Sequence, residues 1–68
     1  MRTLVKTQKL TYSVVEAAEA LGVSKTTMYR IIQIEGFPVI VLGSRRLIPI
    51  EGLKRWIEER AAIGWQLH

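Results

Sequence analysis

Apolar residues at 14, 17, 18 and 21 recur at the three- and four-residue spacing of one helix face, with Glu16 and Glu19 on another. Ser13 stands before this run and Glu16 three residues on, the S-x-x-E pattern of a capping box. A first helix is therefore expected over Val14–Leu21, with Tyr12 stapled onto Ala17 and Gly22 closing it in the left-handed conformation. Ser24 suits the N-cap of a second helix over Lys25–Ile34, whose inward positions are Met28, Ile31 and Ile32. Ala17 and Ala18 are small. They serve helix propensity, and together with Gly22, Val23 and Met28 they let two helices approach closely through a tight turn.

Glu35-Gly36-Phe37-Pro38 breaks the helical period. Val39–Leu42 is short and mostly β-branched, Gly43-Ser44 fits a two-residue type II′ turn, and Arg45–Ile48 returns as a second strand. Pro49, lacking an N–H, is expected to stop that ladder. Leu53, Trp56 and Ile57, with Ile50 one turn earlier, mark the inward face of a third helix over Glu51–Ala61. Glu51–Arg55 and Arg55–Glu59 have the spacing of supporting ion pairs there. Residues 1–11 show no helical period and read as a loose arm with a short strand at Leu10–Tyr12. Residues 62–68 form a tail whose Trp65 and Leu67 either fold back on the core or present a partner surface. The fold class is mostly α with a small β hairpin: a winged helix-turn-helix, its helix pair at Ala17–Ile31 and its wing at Phe37–Ile50.

With 68 residues the chain is one domain, and such a domain buries only about 60% of its unfolded surface. Hydrophobic residues make up 49% and charged residues 24%, which is ordinary for a globular protein. There is no cysteine, so neither a disulfide framework nor a cysteine metal site staples the fold. No apolar run reaches the ~20 residues of a membrane helix, and the basic N-terminus has no signal-like apolar segment. A cytoplasmic protein without membrane contact is the expectation.

Lys and Arg total 10 against 6 acids, a net charge of +4, and the excess is unevenly placed. It falls on residues 1–12, on the second helix with Lys25 and Arg30, and on the hairpin with Arg45 and Arg46. A basic surface on its own is equally that of a solvated small protein, but a hairpin that merely covers a core does not require two arginines beside its turn. A helix held in the major groove reads base edges through its first two turns and outer face. The side chains offered are Ser24, Lys25, Thr26, Thr27, Tyr29, Arg30 and Gln33, with Thr27 divided between packing and phosphate contact. Arginine or lysine pairs with guanine, glutamine with adenine, and a threonine methyl touches thymine. On the wing the candidates are Ser44, Arg45 and Arg46, of which the two arginines would enter the neighbouring minor groove. The only histidine is His68, aspartate and cysteine are absent, and the six glutamates are explained by caps and solvated faces, so neither an enzyme nor a metal, cofactor or small-molecule site is expected.

The ordered pattern Tyr12-Ser-Val-Val-Glu16-Ala-Ala18, Leu21-Gly-Val-Ser-Lys-Thr-Thr-Met-Tyr-Arg-Ile-Ile32, Phe37-Pro38, Gly43, Arg45-Arg-Leu-Ile-Pro49, Leu53 and Trp56-Ile57 resembles the excisionase-type winged helix-turn-helix family, close to the DNA-binding domains of MerR-like regulators. The resemblance covers about residues 10–60. It implies a double-stranded DNA partner, a recognition helix in the major groove, a wing on the adjacent minor groove, and a role as a recombination directionality factor or a transcription regulator. An excisionase would bend attachment-site DNA for a site-specific integrase, with further copies on adjacent sites. A protein-interaction module built on Trp65 and Leu67 is the reading from a different class. Tyr12 stands where the family usually has an aliphatic residue and Val15 where it is often polar; neither departure is expected on the DNA face.

Overall fold

In the computed structural model, which describes residues 9–66, a strand β1 (Thr11–Tyr12) leads into helix α1 (Val14–Leu21) and helix α2 (Lys25–Ile31). Strands β2 (Ile40–Leu42) and β3 (Arg45–Pro49) follow, and helix α3 (Ile50–Ala62) leaves β3 without a loop. This is a winged helix-turn-helix with a three-stranded antiparallel sheet of order β1-β3-β2.

Local chemistry accounts for the ends of α1. The Ser13 hydroxyl accepts from the Glu16 N–H at 3.1 Å, and the Ser13 N–H donates to the Glu16 carboxylate at 2.9 Å, so two first-turn donors are satisfied reciprocally. At the other end Gly22 has φ +76°, a conformation that costs a residue with a Cβ. Val23 N–H reaches Ala18 C=O at 3.0 Å and Gly22 N–H reaches Glu19 C=O at 3.2 Å, the paired bonds of a Schellman turn. Val23, the residue after the glycine, then packs against the core.

The second helix is shorter than the spacing predicts. It stops at Ile31 with Ile32 as its cap, not at Ile34. Bonds from Gln33 N–H to Arg30 C=O and from Ile34 N–H to Ile31 C=O wind the chain into tighter turns. Ile31, Ile32 and Ile34 are β-branched and poor helix formers, and all three turn toward the core.

The core joins every layer. Met28 and Ile48 are fully buried and stand at its centre, with Ala17 and Ala18 from α1, Phe37 before the wing, and Leu53 and Trp56 from α3. Phe37 meets Trp56 edge-on, ring centroids 5.0 Å apart. Ile57 does not join them: it is 36% exposed. The buried face of α3 is therefore the narrower row of Leu53 and Trp56. Its ion pair is Lys54–Glu51 at 3.6 Å, and neither expected Arg55 pair forms.

Two further expectations change. The wing is not a free pair of strands, since Thr11 and Tyr12 pair with Pro49 and Ile48 on the far side of β3. Nor does Pro49 stop the ladder: it sits opposite Thr11, and the next N–H, of Ile50, donates to Leu10 C=O at 3.0 Å. A proline is tolerated there because the bond is supplied one residue later, where the strand becomes helix. Among the described residues no helix is long and apolar enough to cross a membrane.

Candidate nucleic-acid interface

Burying Met28 and Ile31 turns the opposite side of α2 outward. Lys25 and Tyr29, and Thr26 and Arg30, are i,i+4 pairs on that outer arc, and all four are exposed. This is the arc that the sequence offers as a DNA-reading face. Gln33 is exposed as well, but it lies in the turn after α2 and not on the helix. Ser24 and Thr27 have a first task inside the protein: the Ser24 hydroxyl accepts from Thr27 N–H at 3.1 Å and donates to the Thr27 hydroxyl at 3.0 Å. Thr27 is half-buried accordingly. Its ambiguity leans toward the cap.

The wing is a tight hairpin. Leu42 pairs with Arg45 and Val41 with Arg46, leaving Gly43-Ser44 as the two-residue turn. Gly43 has φ +61°, the positive value that primed hairpin turns need at their first position. Ser44, Arg45 and Arg46 are all exposed. Arg45 and Arg46 make no ion pair with another described residue. Val41 and Leu42 opposite them are exposed too, so the distal hairpin has little role in covering the core.

Helix and wing share one feature that links them. An open cleft of about 240 Å³ is walled by Tyr29 from α2, by Arg45 and Arg46 from β3, and by Ser13 and Val15 from the start of α1. None of the residues lining it is acidic. Seven of the ten residues singled out from sequence lie on the outer arc of α2 or on the wing, and the cleft brings three of them together. Val15 was missed. It is 46% exposed beside the arginines, so one of the two departures from the family pattern does fall on this face. The signal was present: Val15 lies off the inward face marked by positions 14, 17, 18 and 21, an apolar residue on the wrong side of its helix.

Of the cations in the N-terminal arm, Lys9 is bonded to the Glu16 carboxylate, which spends its charge within the protein. Arg2 and Lys6 lie outside the described residues. The Lys9 ammonium, then the Ser13 N–H, hold the Glu16 carboxyl below its ordinary value. Trp65 folds back on the core, half-buried, while Leu67 lies outside the described residues. Among the described residues no group of acids and histidines is arranged to hold a metal ion.

No curated protein and no solved structure matches the chain. A family model does, the helix-turn-helix domain, over residues 11–61. That span begins at β1 and ends one residue short of the end of α3, so it takes in the helix pair, the wing and the helix behind them. With the outer arc of α2 and the basic wing exposed, the chain belongs to this helix-turn-helix domain family and is a DNA-binding protein.

Proposed function

We propose that the protein is a sequence-specific double-stranded DNA-binding factor of the excisionase type, which bends attachment-site DNA to assist a separate site-specific integrase. The observation that carries this reading is the shared border of the outer arc of α2 and the wing: Tyr29 and two arginines that make no ion pair with another described residue line one cleft whose lining holds no acid. Lys25, Thr26 and Arg30 would read base edges in the major groove, and the wing would lie over the adjacent minor groove. The role is not enzymatic. The chain works on DNA in the cytoplasm without cofactor or small-molecule ligand. One copy covers a short site, so useful specificity comes from several copies on adjacent sites and from the cost of deforming the DNA between them.

The test is excision by the cognate integrase, with and without the protein, on supercoiled DNA carrying the attachment sites. Excision that depends on the protein supports the reading. Equal excision in both, with repression of a nearby promoter, replaces it by a transcription regulator on the same fold. Failure to bind any duplex at low salt replaces it by a protein-interaction module.

A further inference from the structure

A helix in the major groove and a wing over the next minor groove stand on either side of one sugar-phosphate strand. Whatever lies between helix and wing must accommodate that strand. Here the space between them is the cleft walled by Tyr29, Arg45, Arg46 and Val15. We infer that this cleft seats one backbone phosphate of the bound duplex, with the Arg46 guanidinium as its ion partner, the Tyr29 phenol as a hydrogen-bond donor and Val15 as the apolar wall against the adjoining deoxyribose. The assignment rests on the DNA-binding reading above and adds a division of labour to it. Tyr29 becomes a residue that positions the backbone, while Lys25, Thr26 and Arg30 are left to read bases.

The chemistry of the walls fits a phosphodiester. Arginine presents a planar fork that matches phosphate oxygens, and a charge-assisted bond from a phenol adds direction. Neither arginine is spent on an ion pair with another described residue. The seat also accounts for two exposed apolar side chains that the core leaves unexplained: Tyr29 is 43% and Val15 46% exposed, and both line the same cleft. A sugar has apolar faces and a phosphate does not, so a wall of one valine beside two arginines suits the alternation of the strand.

The experiment titrates the full chain and its variants onto a fluorescein-labelled duplex recovered by selection from a random pool, over a series of salt concentrations. Arg46→Ala lowers the slope of log affinity against log salt by about one. Tyr29→Phe keeps the ring, leaves the slope unchanged and weakens binding roughly ten-fold, the worth of a hydrogen bond to a charged group. In the double variant the Tyr29→Phe loss largely disappears, because its partner phosphate is no longer held. Val15→Glu puts a carboxylate in the seat and weakens binding several-fold, whereas Ile57→Glu on α3, with the same charge change, does not. Circular dichroism of each variant establishes that it is folded. Additive losses for Tyr29→Phe and Arg46→Ala, or equal effects of the two glutamate substitutions, overturn the seat while the DNA-binding reading stands. A parent protein that binds no duplex overturns both.

Discussion

Trp65 stands edge-on to Trp56, ring centroids 5.3 Å apart and planes inclined at 72°, and this contact turns the C-terminal tail back onto the domain. The turn is made by the backbone: Trp65 N–H reaches Arg60 C=O at 3.1 Å and Gly64 N–H reaches Ala61 C=O at 3.2 Å. The Arg60 guanidinium carbon lies 5.6 Å from the centre of the Trp56 ring, and its Nε has no hydrogen-bond partner among the described residues. Trp65→Ala should lower the free energy of unfolding by about 1–3 kcal/mol, from lost apolar burial and one aromatic pair. Urea unfolding followed by circular dichroism checks it. Unchanged stability would return Trp65 to the role of a partner surface.

The start of α1 makes a pH-dependent prediction. Glu16 is held below its ordinary carboxyl value by Lys9 and then by the Ser13 N–H. A carboxyl lowered on folding stabilises the folded state above its unfolded pKa, and that contribution is lost as pH falls through the folded value. Stability of the parent should therefore fall as the pH drops through and below the ordinary carboxyl range, and Glu16→Gln should flatten that limb. Ser13→Ala, which removes the acceptor for the Glu16 N–H, should cost about 1 kcal/mol at neutral pH. Unfolding curves at several pH values test both. Parallel acid limbs for parent and Glu16→Gln would remove the box from the account.

Met28 tests the core. It is fully buried within the hydrophobic core. Met28→Ala should cost about 2–5 kcal/mol, a large part of what so small a domain has. Chemical denaturation gives the number. A loss under 1 kcal/mol would mean that the helices collapse onto the smaller side chain.

Base reading and phosphate binding separate on α2. Replacing Lys25 or Arg30 by Ala should weaken a selected site more than a random duplex, by about 1–3 kcal/mol. Equal losses on both duplexes would move that residue to the backbone.

Much of this architecture was legible because short-range chemistry decided it. Ser13 and Glu16 cap α1, Gly22 ends it, and Gly43-Ser44 turns the wing, each through bonds reaching only a few residues. Where tertiary contacts decided, the pattern misled. Ile32 and Ile34 extend a helical spacing, yet the core draws them in after α2 has already stopped at Ile31. Ile57 has the right spacing for the third helix's inner face, but it stays exposed while Leu53 and Trp56 are buried. The outer arc of α2 could be read from Met28 and Ile31 alone. That Val15 stands beside the wing could not, because it depends on how α1 and β3 approach each other.

The strand pairing of Thr11–Tyr12 with Ile48–Pro49 has a kinetic consequence. The helix pair is encoded in the first half of the chain, but its cover, Ile48, and the seat for its leading strand come from the second. During synthesis the pair has nothing to close against until the wing has emerged, so the domain cannot be acquired piecemeal. Closing so long a loop for so few contacts slows folding relative to a purely helical bundle of this length. A chain cut before the wing would hold only a fluctuating helical hairpin. The outer face of α2 is thus held in place only in a molecule whose wing has already folded.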